Sequence, residues 1–191
     1  MRKTLLITTL FITGVCFGQT YDHIEFYDDG ISPKVIKTYK ESKGMLELVK
    51  AITWYENGQK WLEETYKDGK LAGKWVDWYE NGEKRTEFNY KDGKEYGLST
   101  IWYENGEKVS EETFKDGEED GFSTSWYENG QKEYEATHKD GKEDGLWTEW
   151  HDNGQRRAEF TYEDGEVISE KCWDEDGYER ECYSMKRLWL K

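Results

Sequence analysis

A tryptophan returns every 24 residues along the centre of this chain, at Trp54, Trp78, Trp102, Trp126 and Trp150. Each opens a similar phrase, of which Trp102-Tyr103-Glu104-Asn105-Gly106-Glu107-Lys108 is one copy. A second phrase falls between the copies: Tyr66-Lys67-Asp68-Gly69, Tyr90-Lys91-Asp92-Gly93, Phe114-Lys115-Asp116-Gly117, His138-Lys139-Asp140-Gly141 and Tyr162-Glu163-Asp164-Gly165. A fixed period of this size confines the chain to a repeat architecture, whose units bury apolar surface by stacking on their neighbours. Such repeats specify a surface rather than a reaction.

One unit shows what each repeat builds. Leu98, Thr100 and Trp102 alternate with Ser99, Ile101 and Tyr103, a strand pattern. Glu104-Asn105-Gly106 reads as a tight hairpin turn in which Gly106 supplies a positive φ. Lys108 to Phe114 is the return strand, Lys115-Asp116-Gly117 turns the chain again, and Gly121 starts the next strand. The fold expected is therefore all-β: an elongated, single-layer antiparallel meander of about six to seven stacked β-hairpins, each repeat one hairpin.

The period of two assigns faces along a strand. Leu98, Thr100 and Trp102 share one, with Phe122, Thr124, Trp126 and Leu146, Thr148, Trp150 as equivalents. Leu62, Phe88, Tyr134 and Phe160 share a parity on the return strands with Tyr66, Tyr90, Phe114 and Tyr162. We expect these two sets to form the more buried face. Glu63, Glu87, Glu111, Glu135 and Glu159 stand at the opposite parity and are expected on a wet face.

The ends differ from the array. Residues 1–19 read as an export signal: Arg2 and Lys3, then an apolar stretch from Leu5 to Val15 too short to span a bilayer. Cleavage before Gln19 is one outcome. Acylation of Cys16 is a second, although Val15 departs from the small residue a lipobox places before its cysteine, and a retained anchor or an unexported chain is a third. Residues 20–50 resemble a worn capping repeat, with Phe26-Tyr27-Asp28-Asp29-Gly30 echoing Trp54-Tyr55-Glu56-Asn57-Gly58. Pro33 lies in an insertion there and, lacking an N–H, is expected at an edge. Residues 51–166 are the regular array. Residues 167–191 form a capping hairpin around Trp173-Asp174-Glu175-Asp176-Gly177 and a closing strand from Tyr183 to Lys191. Cys172 and Cys182 flank that hairpin, and an even pair in an exported chain is expected to form a disulfide.

The spacing of Gly69, Gly73, Trp78, Tyr79 and Gly82, and again of Gly93, Gly97, Trp102, Tyr103 and Gly106, resembles MORN repeats, more closely their bacterial variant. The resemblance covers roughly residues 44 to 182. It implies a stack of β-hairpins in one twisted sheet. Bacterial proteins with this variant are often labelled as antitoxin components of toxin–antitoxin systems, and other MORN proteins are scaffolds or membrane-associated. The resemblance thus implies a scaffold or an antitoxin- or immunity-like role; the export signal speaks against a cytoplasmic antitoxin and is compatible with immunity against a toxin outside the cytoplasm.

Composition and motifs narrow the function. The formal net charge of −15 opposes the basic footprint of a nucleic-acid binder, and it disfavours anionic membranes unless Cys16 carries a lipid. Asp116-Gly117-Glu118-Glu119-Asp120-Gly121 imitates the start of a calcium loop, but Tyr127 stands where the bidentate glutamate belongs, so it reads as a turn and no metal is assigned. His23, His138 and His151 lack ligand spacing. The glutamate row has the same surroundings in every copy, which marks none as acid and another as base. No catalytic residue and no cofactor is assigned. The aromatic rows are the sharpest features. Trp54, Trp78, Trp102, Trp126 and Trp150 read as a structural ladder, and Tyr55, Tyr79, Tyr103 and Tyr127, at opposite parity, as a candidate binding ladder. The reading is an exported, non-catalytic module, secreted or in the cell envelope, whose partner is a protein. The alternative is a glycan- or cell-wall-binding module that stacks polysaccharide on the aromatic rows.

Overall fold

The computed structural model describes residues 20–182. The export signal, Cys16 and the closing strand from Tyr183 lie outside the described residues. The fold is all-β: antiparallel hairpins in open sheet, sixteen strands and no helix among the described residues.

The chain divides into two compact units. The first, up to Tyr96 together with Glu104–Gly106, holds β1 (Thr20–Phe26), β2 (Pro33–Ser42), β3 (Met45–Trp54), β4 (Lys60–Lys67), β5 (Lys70–Trp78), β6 (Lys84–Lys91) and β7 (Lys94–Glu95). Its strands neighbour one another in sequence order, and β7 pairs with β6. The second, Gly97–Tyr103 and the chain from Glu107, holds β8 (Gly97–Trp102), β9 (Lys108–Lys115), β10 (Glu118–Trp126), β11 (Lys132–Lys139), β12 (Lys142–Glu143), β13 (Gly145–Trp150), β14 (Arg156–Glu163), β15 (Glu166–Trp173) and β16 (Glu179–Arg180). Sequence order governs here too, with β12 set beside β11.

Two turn chemistries alternate. After β3, the Tyr55 amide donates to the Gln59 carbonyl at 2.9 Å and the Gly58 amide to Tyr55 at 3.0 Å, with Gly58 at φ 84°. This is the three-residue hairpin loop that ends in a left-handed glycine, and it shifts the strand register between Thr53 and Trp54. After β4, Asp68 and Gly69 both take positive φ, 51° and 74°, as a two-residue mirror-image turn requires. Asp92, Asp116, Asp140 and Asp164 repeat that conformation, each before its glycine.

The second glycine of each motif does something else. In β5, Trp75 pairs with Glu64 and Leu71 with Tyr66, so Thr65 alone faces residues 72 to 74. The Thr65 hydroxyl donates to the Ala72 carbonyl across this bulge. A Cβ on Gly73 would lie 3.0 Å from that hydroxyl oxygen, and one on Gly145 would lie 2.6 Å from Thr137 Oγ1. The first glycine completes the turn, and at Gly73, Gly121 and Gly145 the second lets the strand fold against a threonine, whereas a Cβ on Gly97, where the repeat has Asn89 in place of that threonine, would meet open space. Pro33 does not sit on an edge strand as expected. It opens β2, between β1 and β3, opposite a register shift where no ladder donor is demanded.

The cross-strand register corrects the assignment of faces. Thr100 stands opposite Glu111 and Ser99 opposite Glu112, so the threonine row shares its face with the glutamates. Trp75 opposes Phe88, and Trp147 opposes Phe160, on the other face. Alternation had fixed parity within each strand, but the bulge after each turn decides which parities meet, and a slip of one residue exchanges the faces. Burial follows small residues: in the first unit Val76 on the glutamate face, and in the second Thr100 and Thr148 on the glutamate face with Ser99, Ser123, Ala136 and Ala158 on the opposite one. Leu98, Phe122 and Leu146, expected in the buried set, are exposed. The glutamate row, expected wet, is half-buried apart from the more open Glu135.

Candidate interaction surface

The Glu-Asn-Gly turns carry two ladders of hydrogen bonds that step from one repeat to the next. Tyr55 Oη donates to the Trp78 carbonyl at 2.8 Å, Tyr103 to Trp126 at 3.1 Å and Tyr127 to Trp150 at 2.8 Å. Tyr27 extends the ladder to Trp54 at 2.6 Å. His151, in the tyrosine position, puts Nε2 3.2 Å from the Trp173 carbonyl, so the substitution keeps the contact. Beside it runs an asparagine ladder. Asn57 Nδ2 donates to the Glu80 carbonyl at 2.7 Å, Asn81 to Glu104 at 3.0 Å, Asn129 to Asp152 at 2.7 Å and Asn153 to Glu175 at 3.0 Å. Each Oδ1 also accepts the amide two residues on, as from Gln131 to Asn129 at 3.0 Å. Sequence reasoning missed this row, taking Asn-Gly for turn chemistry alone. Its invariance across copies was the available signal.

The tryptophan ladder is built with lysines and glutamates. Lys60 Nζ lies 2.7 Å from Glu63 and 5.3 Å from the Trp78 ring centre. Lys108 repeats this with Glu111 at 2.6 Å and Trp126 at 5.6 Å, and Lys132 with Glu135 and Trp150. A cation over a ring face and on a carboxylate ties neighbouring hairpins while its stem covers apolar surface. In the first unit a second lysine joins: Lys50 lies 2.6 Å from Glu63, and Lys74 pairs with Glu87. Burial pushes the Glu63 and Glu87 carboxyls up, but hydrogen bonds and charge from their two lysines outweigh it and hold both below the ordinary glutamate value.

The opposite face is aromatic where the repeats supply large residues. Trp75 stacks on Phe88 with ring centres 5.6 Å apart, and its Nε1 donates to Glu64 at 3.1 Å. Burial and the Glu64 carboxylate push the Tyr66 hydroxyl up to about 12. In the second unit Tyr134 stacks on Trp147 at 4.9 Å, with His138 edge-on to the same indole and 3.1 Å from Glu119. Arg85 donates through Nε to Asp77 at 3.0 Å and lies over the Tyr79 ring. Trp75 and Trp147 also escaped sequence reasoning, because the positions between them are Ser99 and Ser123.

The sites read from sequence therefore separate. Tyr55, Tyr103 and Tyr127 have their hydroxyls engaged between repeats, and Tyr79 holds the equivalent position with Arg85 against its ring. Trp78, Trp126 and Trp150 each have a lysine against the ring. Trp54 and Trp102 open their hairpins at the same place. Cys172 and Cys182 are bonded, with Cα atoms 5.2 Å apart, at the end of the second unit. Asp116 and Gly117 form a turn, and Asp120 lies 3.8 Å from Lys115. An open cleft of about 590 Å³ in the second unit brings Tyr127, His151, Arg157 and Arg180 against Asp174 and Asp176.

A family model described as MORN repeat variant matches residues 49–68, 71–92, 95–116, 119–140 and 143–164. No curated protein matches the chain.

Proposed function

The chain belongs to the MORN repeat variant family, and from that premise we propose that it is an exported, non-catalytic interaction module whose ligand is a protein. Repeats of this family serve in general as protein- and membrane-interaction modules rather than as enzymes. The observation that carries the reading is the equivalence of the copies. Tyr55, Tyr103 and Tyr127 make one and the same bond, and Glu63, Glu87 and Glu111 carry the same type of ion pair. Acid–base catalysis needs two groups whose surroundings drive them apart, whereas a binding face gains from identical units.

Export is supported by the basic start and short apolar run of residues 1–19, and by the Cys172–Cys182 disulfide, a bond that persists in oxidising compartments. An immunity-like role against a toxin outside the cytoplasm is one form this function takes. The test is retention: the full chain is immobilised and challenged with the source cell's envelope fraction, and protein and polysaccharide eluates are read separately. A single specific protein is the expected result. Polysaccharide retained without protein would replace this reading with glycan binding.

A further inference from the structure

One position of the repeat differs in character between the glutamate-bearing faces of the two units. In the first unit this position holds Lys50 and Lys74, each the second cation on a glutamate, Glu63 and Glu87. In the second unit the same positions are Leu98, Phe122 and Leu146, and they are 50%, 74% and 56% exposed. They face Thr113, Thr137 and Thr161 across the ladder, and successive members stand two strands, about 10 Å, apart. Exposed apolar side chains repeated in one register mark an interaction surface.

The neighbouring charges say what the surface takes. Glu111, Glu135 and Glu159 keep the cation three residues before them, Lys108, Lys132 and Arg156, but the position of the second cation is now apolar. The singly paired Glu111, Glu135 and Glu159 side chains are 27%, 44% and 22% exposed, against 23% and 18% for the doubly paired Glu63 and Glu87, so the opening is at Glu135, the middle of the row. The turn segments 115–122 and 139–146 beside the row hold seven acidic residues and three lysines. We infer that the row Leu98, Phe122 and Leu146 is a docking strip for a basic segment of a partner protein, one with Lys or Arg next to apolar residues. The apolar side chains cover the strip, and the cations supply the second charge that Lys50 and Lys74 supply in the first unit. This rests on the reading of the chain as a protein-interaction module and names its surface.

The test uses the full chain and two synthetic peptides with the same leucine pattern, one filled with lysine and one with glutamate, titrated calorimetrically at low and physiological salt. The lysine peptide is expected to bind, more weakly at the higher salt, and the glutamate peptide not to bind. The decisive variant is Leu98→Lys, Phe122→Lys and Leu146→Lys together, which copies the first unit's pattern and is expected to keep its β-sheet circular dichroism. It should weaken the lysine peptide about tenfold or more. Phe122→Ser with Leu146→Ser should weaken it in the same direction, while Ile31→Ser, at an exposed apolar residue of the first unit, should leave it unchanged. Equal binding of both peptides, no binding of either, or undiminished binding by the triple-lysine variant would overturn the strip. Repeating the envelope retention with that variant separates the two proposals. A partner protein held equally by both chains sinks the strip and leaves the proposed function standing. If neither chain holds a protein, the proposed function fails, and the peptide titration alone decides the strip.

Discussion

The hydroxyl of Tyr127 donates to the main-chain carbonyl of Trp150 at 2.8 Å, so a side chain at one hairpin turn is fastened to the last residue of a strand in the next repeat. Tyr127→Phe deletes this donor and leaves the ring. A typical hydrogen bond contributes about 1 kcal/mol net, and a loss of about that size in chemical denaturation is the expected result. Tyr55→Phe should match it, because its bond to Trp78 has the same length. A variant as stable as the parent would return the tyrosine row to the role of a free binding ladder.

The asparagine ladder is separable from the turn it belongs to. Asn129→Asp keeps an oxygen for the Gln131 amide but loses the Nδ2 donor to the Asp152 carbonyl. Asn129→Ala loses both. We expect about 1 kcal/mol for the first and about 2 kcal/mol for the second, measured by urea titration. Equal losses would mean that the bond between repeats contributes nothing beyond the local turn.

Much of this fold was legible because its instructions are local. A left-handed glycine at Gly58 or Gly106 and an Asp-Gly pair at Asp68-Gly69 meet backbone requirements that few other residues meet, so both turns, and hence the order of the strands, could be read from the chain. Relations between strands were not local. Whether Thr100 meets Glu111 or Glu112 depends on a bulge that alternation does not encode, and the expected faces came out mixed. The candidate ladders suffered likewise. Parity distinguishes tyrosine from tryptophan rows, but nothing in Tyr103 announces that its hydroxyl reaches Trp126, and only the observed contact explains why His151 substitutes for tyrosine. The cysteine pair was legible from its even count, not from its place, because Cys172 and Cys182 do not stand opposite each other around the three-residue loop.

That disulfide closes a sequence separation of 10 residues at the end of the second unit. In the chain-entropy account a loop of this size contributes about 2 to 3 kcal/mol. Because the loop lies wholly at one end, reduction should loosen β15 and β16 and spare the array. Hydrogen exchange after reduction is expected to accelerate at Lys171 and Trp173 and to stay slow in β9 and β11. Uniform acceleration along the chain would show that the end hairpin holds the whole array together.

The glutamate row makes acid stability predictable in sign. Glu63 and Glu87 sit below their ordinary value of 4.5 in the folded chain, because two lysines on each outweigh the effect of burial. A carboxylate with a depressed folded value binds its proton more readily when unfolded. Its stabilising contribution is therefore complete above the unfolded value and disappears as pH falls through the lower, folded one. Thermal midpoints should hold steady from neutral pH down to about 5 and fall below about 4.5. Glu87→Gln removes the charge at every pH, so its midpoint should lie below that of the parent at neutral pH and approach it in acid. The same change at Glu135, whose carboxylate is more exposed and pairs with Lys132, should move the neutral midpoint less. A Glu87→Gln chain whose deficit persists undiminished at low pH would place the role of Glu87 in packing rather than in charge.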